Sequence, residues 1–81
     1  MGDNLRIGIG DMSKMTGVSS RQLRYWEQKG YIKAMNEEEG VARKYGLGSK
    51  YKIFAIKHFL DEGDTLAKAV EKAELHRKEG I

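Results

Sequence analysis

The chain has 81 residues with ten Gly, no Pro and no Cys, enough for one small domain around a modest core. The absence of thiols excludes a disulfide framework, thiolate metal sites and a Cys nucleophile or redox sensor, and no apolar run approaches the length of a membrane span. The formal charge of +3 is a cancellation: segment 13–33 carries +4, segment 40–58 carries +5 with no acid, and Glu37–Glu39 set −3 between them.

The opening M-G-D-N-L-R-I-G-I-G-D has no basic segment followed by an apolar one, so no secretory leader is expected. Arg6 stands where myristoylation wants Ser or Thr, and the expectation is a soluble cytoplasmic protein. A short helix is predicted over about 10–16, with Asp11 favouring its positive end, Met12 and Met15 as an apolar pair and Gly17 as its stop. Ser19 and Gln22 then have the spacing of a capping box, Leu23 and Trp26 follow one turn apart, and Gly30 closes the pattern. The second helix is therefore predicted over about 20–29. Two helices joined by so tight a turn, the second opening with Arg21 and Arg24, form a helix-turn-helix.

Beyond Gly30, Tyr31–Lys33 and Val41–Tyr45 read as two short strands, with residues 36–40 turning between them, and a hairpin in that position is a wing. A third helix is predicted over about 49–62, with Ile53, Ile56, Phe59 and Leu60 on one face and Gly63 as its stop. Thr65 caps a fourth, carrying Leu66, Ala69, Val70 and Ala73 in a narrow stripe, and past Ala73 the polar chain is expected to fray. The fold class is mainly α with a small β-hairpin, a winged helix-turn-helix. Residues 1–81 form a single domain with its core at about 7–73 and a polar tail at 74–81.

These residues resemble the DNA-binding domain of the MerR family of bacterial transcription regulators. I-G-D-M-S-K-M-T-G-V-S at 9–19 resembles the family's first helix and turn, and S-S-R-Q-L-R-Y-W-E-Q-K-G-Y-I at 19–32 its recognition helix and exit into the wing. Arg43-Lys44-Tyr45 falls where the family has Arg-x-Tyr on the returning wing strand, and D-E-G-D-T-L-A-K-A-V at 61–70 where a second wing enters helix four. The R-Q-L-R-Y wording is similar to that of the nitrogen-control regulators GlnR and TnrA. Trp26 replaces the second aromatic of the usual Tyr-Tyr pair, and the wing lacks the Pro and first Arg of many members, with three Glu at its tip instead. The long dimerisation helix and effector domain that normally follow are expected to be absent from so short a chain.

The resemblance implies double-stranded DNA as partner, with the second helix in the major groove, where Arg bonds bidentately to guanine. Arg21 and Arg24 lie one turn apart to read neighbouring base pairs, and Tyr25 offers its hydroxyl to a phosphate. Lys14, Ser19 and Ser20 lie where phosphate contacts set the register. The family uses the position of Arg43 on the minor groove or adjacent backbone, and Lys44, Tyr45 and Lys50 are further expected backbone contacts. Blander readings stand beside these. Arg24 can pair with Glu27, Tyr25 can pack at the core edge, Tyr45 can be wing packing, and Trp26 is expected in the core. The acidic tip either points off the DNA or touches something else, such as a second protein, since facing phosphates it opposes binding.

No cofactor, metal or catalytic constellation is expected. His58 and His76 stand apart, no Ser has a His-acid partner, and Gly8-Ile9-Gly10 is not a dinucleotide loop. The primary expectation is a sequence-specific transcription regulator, with RNA polymerase or another regulator as a further contact. An excisionase-like architectural protein and a protein-interaction module binding an acidic partner are the alternatives. Without a dimerisation helix, the chain is expected to be a monomer or weak homodimer.

Overall fold

The computed structural model describes residues 6–35 and 44–80. The elements run β1 (Ile7–Gly8), α1 (Ile9–Thr16), α2 (Ser20–Gln28), β2 (Lys44–Tyr45), α3 (Leu47–Asp61) and α4 (Leu66–Gly80). The four predicted helices are all present. The expected turn at 36–40, the acidic tip Glu37–Glu39 and the strand residues 41–43 lie outside the described residues.

The turn between α1 and α2 is held by side chains as well as backbone. Gly17 closes α1 at φ 80°, a left-handed conformation costly for any residue with a Cβ, and its N–H donates to Ser13 O at 2.8 Å. Buried Thr16 donates to Met12 O at 2.7 Å and accepts from Val18 N at 3.2 Å. Ser19 Oγ then accepts the Gln22 N–H at 3.1 Å, which satisfies one of the free donors of the α2 first turn. Hydroxyls on both sides of Val18 thus set where one helix stops and the next begins.

The strand pairing differs from the expected hairpin. Lys44–Tyr45 is a strand, but it pairs antiparallel with Ile7–Gly8, in register Ile7 to Tyr45 and Gly8 to Lys44. Tyr31–Lys33 is not a strand, because its backbone groups go elsewhere. Tyr31 N–H donates to Trp26 O at 2.9 Å, closing α2, and Lys33 O accepts the Ser49 hydroxyl at 2.8 Å. Met35 N–H, donating to Lys44 O at 2.7 Å, joins this leg to β2.

The core is built from Met12, Leu23, Trp26, Tyr45, Ile53 and Ile56, all fully buried, with Ile7, Val18, Ile32, Ala69, Val70 and Ala73 around them. At roughly 1.5–3 kcal/mol for each large apolar side chain, this burial is the main source of stability. Met15 does not join it. The buried line of α1 runs from Met12 to Thr16, one helical repeat on, and leaves Met15 45% exposed. Trp26 is in the core as expected, and its indole N–H finds no acceptor among the described residues.

Helix α3 begins at Leu47, two residues before the expected start, with Gly46 as its N-cap. Thr65 accepts the Lys68 N–H at 3.2 Å and caps α4 as the sequence predicts. Instead of fraying at Ala73, α4 continues to Gly80, because Glu, Leu, Arg and Lys are strong helix formers even without an apolar stripe. No helix of the described residues is long and apolar enough to cross a membrane.

Candidate nucleic-acid interface

Helix α2 divides cleanly by depth. Leu23 and Trp26 point into the core, while Arg21, Arg24 and Tyr25 are exposed on the opposite side. Residues 21, 24, 25 and 28 stand at i, i+3, i+4 and i+7, so they form one outward stripe along the helix. Gln28 is exposed and completes this line. The sequence reading missed it, although the same 3.6-residue spacing that relates Arg21 to Arg24 continues to Gln28. Gln can bond bidentately to adenine, as Arg does to guanine.

Glu27 is the single acid of α2, and it is turned away from that stripe. Its Oε1 accepts the Tyr45 hydroxyl at 2.7 Å, and among the described residues no ion pair joins it to Arg24. The outward face of the helix therefore carries only cationic and neutral polar groups. An acid there would repel phosphates and compete for the arginines. The tyrosine-glutamate bond also ties the base of the expected wing to the helix.

Tyr45 corrects one expectation. It is fully buried in the core, so its side chain does not stand at the surface where a phosphate would lie. The reason is strand alternation: with Tyr45 directed inward, its neighbour Lys44 points outward and is exposed. Tyr25, the other tyrosine expected at DNA, is 48% exposed.

Lys14 is exposed on the last turn of α1, Ser19 is exposed at the α2 cap, and Ser20 is half-buried beside it. These three flank the N-terminal end of α2, where the helix dipole and free N–H groups favour anions. Lys50 is half-buried on the second turn of α3, on a different element from the α2 stripe. Arg43 lies outside the described residues. The structure thus brings Lys14, Ser19, Ser20, Arg21, Arg24 and Tyr25 onto one continuous α1–α2 unit, with Lys44 on the strand tied to it through Tyr45.

Comparison with known proteins agrees with this geometry. Residues 8–75 match the pattern described as MerR HTH family regulatory protein. The chain is 32% identical over 71 residues to heavy metal-dependent transcription regulator 2 of Rhizobium meliloti (strain 1021), covering 88% of this chain and 48% of that protein. It is 30% identical over 77 residues to the HTH-type transcriptional regulator TnrA of Bacillus subtilis (strain 168), covering 95% of this chain and 67% of the relative. Its fold matches the crystal structure of a MerR-family transcriptional regulator from Bacillus cereus with a TM-score of 0.74 at 25% identity, over 83% of this chain and 50% of the other. The chain therefore spans about half the length of the heavy-metal regulator and about two thirds of TnrA. With a helix-turn-helix whose outward stripe is basic and a family match over most of its length, the chain belongs to the MerR HTH family of regulatory proteins.

Proposed function

We propose that the chain is a sequence-specific double-stranded DNA-binding module of a transcription regulator, acting in the cytoplasm with α2 in the major groove. The observation that carries this reading is the outward stripe Arg21, Arg24, Tyr25 and Gln28, from which Glu27 is withdrawn into its bond with Tyr45. In this reading Arg21 and Arg24 are the guanine readers and Gln28 a third base reader. Lys14, Ser19, Ser20, Tyr25 and Lys44 hold phosphates and fix the register, with Arg43 on the wing. The chain acts as a monomer or weak dimer, and RNA polymerase is a natural further contact for a regulator bound near a promoter. The names of the relatives favour regulation over an architectural role in recombination.

Salt dependence tests the reading. Each phosphate neutralised by Lys or Arg contributes about −0.9 to the slope of log affinity against log salt, so Lys14, Arg43 and Lys44 together give a slope near −3. A duplex titration at several salt concentrations should find such a slope. Affinity that is flat with salt, or absent at low salt, contradicts it and leaves the basic face to an acidic protein partner.

A further inference from the structure

The short ribbon β1–β2 has an inner and an outer face. Ile7 and Tyr45 oppose each other in its register and are both buried, so the next pair, Gly8 and Lys44, belongs to the outer face. Arg6, the residue before β1, is exposed and by the same alternation falls on the outer side too. In the antiparallel register Arg6 is the diagonal neighbour of Lys44. Diagonal neighbours stand about 7–8 Å apart, within reach of long side chains.

Gly8 lies between these two cations and offers no side chain. A Cβ on it would meet Lys44 Nζ at 3.7 Å, so the ammonium sits over the bare backbone of this glycine. The backbone itself does not demand glycine: φ −69° and ψ 161° are extended values that any residue adopts. As the N-cap of α1, Gly8 also makes no side-chain bond to the first turn, where Ser or Asp would make one. What glycine supplies here is room between Arg6 and Lys44.

We propose that Arg6 is a further phosphate-holding residue, which grips the DNA backbone together with Lys44 across Gly8. This rests on the reading of the chain as a duplex-binding module with Lys44 on a phosphate, and it extends that contact from β2 to the residue before β1. Two neighbouring cations repel each other, and a phosphate between them replaces the repulsion with charge-assisted hydrogen bonds. The guanidinium can present two parallel N–H groups to one phosphate, which a lysine cannot. The seat is also held in place relative to the reading helix. Tyr45, next to Lys44 on β2, donates to Glu27 of α2 at 2.7 Å, so a phosphate held on the ribbon helps set where Arg21 and Arg24 fall. Arg6 meets the backbone and no base edge, so it strengthens binding to every duplex alike.

The test measures affinity of the 81-residue chain across a salt series, on a duplex selected for tight binding and on a scrambled one. Arg6→Ala should make the slope of log affinity against log salt shallower by about 0.9 and weaken both duplexes about tenfold at roughly 0.1 M salt. Arg6→Lys keeps the charge and should keep the slope. Gly8→Asp places a carboxylate between the two cations while giving α1 a side-chain cap. Its thermal midpoint should hold or rise while duplex affinity falls about tenfold, a split that a purely structural role of Gly8 does not produce. A slope unchanged by Arg6→Ala, or full affinity in Gly8→Asp, overturns the assignment and leaves the duplex-binding reading standing. So does a loss in Arg6→Ala confined to the selected duplex, which makes Arg6 a base reader. An unaltered chain that binds no duplex at low salt overturns both.

Discussion

The Tyr45 hydroxyl donates to Glu27 Oε1 at 2.7 Å, across 18 positions of sequence, from a side chain with no exposure to solvent. This bond joins β2 to α2 and keeps the single acid of α2 out of the basic stripe. Hydrogen bonds to charged groups contribute about 1.5–3 kcal/mol when one partner is removed. Tyr45→Phe should lower the urea midpoint by a corresponding amount with an unchanged m-value. An unchanged midpoint shows the bond to be dispensable.

The inter-helix turn rests on Gly17 and Ser19. Gly17→Ala places a Cβ on a residue at φ 80° and against the Lys57 chain, and should cost about 1–2 kcal/mol. Ser19→Ala removes the cap on Gln22 N–H and should cost about 1 kcal/mol. Denaturant unfolding separates the two. If Gly17→Ala is neutral, the chain can pass from α1 to α2 without the left-handed residue.

The two methionines of α1 provide an internal control on its orientation. Met12→Ala empties a fully buried site and should cost about 2–5 kcal/mol. Met15→Ala, at an exposed site, should change stability by no more than about 0.5 kcal/mol. Equal losses at both positions contradict the rotation of this helix.

Gln28 sits one turn beyond Arg24 on the outward line of α2. Gln28→Ala should relax preference at one base pair by about 1–3 kcal/mol and leave the other positions of the site as they were. Binding-site selection with both proteins reads this position by position, and identical selected sequences remove Gln28 from the readout.

Much of this arrangement was legible in residue order because the deciding interactions are local. The Ser19 cap, the stop at Gly17, the Thr65 cap and the burial of Leu23 and Trp26 all follow from spacings of one helical turn or less. What escaped is non-local or too short to have a period. A strand of two residues such as Ile7–Gly8 has no alternation to detect, and its pairing with Lys44–Tyr45 depends on where the intervening helices return the chain. The inward direction of Tyr45 hangs on that pairing, so it was open to both readings. Met15 was misread because an apolar residue at i+3 from Met12 lies on the same broad side of a helix without lying in its contact line. The length of α4 follows propensity, which an apolar stripe cannot reveal.

The central claim is that α2 reads sequence while Lys44 only holds the backbone, and Arg24→Ala against Lys44→Ala tests it most directly. Affinities of both variants and the unaltered chain are measured at one salt concentration on a selected duplex and on a scrambled one. Arg24→Ala should erase about 1–3 kcal/mol of the difference between the two duplexes, whereas Lys44→Ala should weaken both alike and keep the difference. Discrimination that survives Arg24→Ala intact contradicts the account.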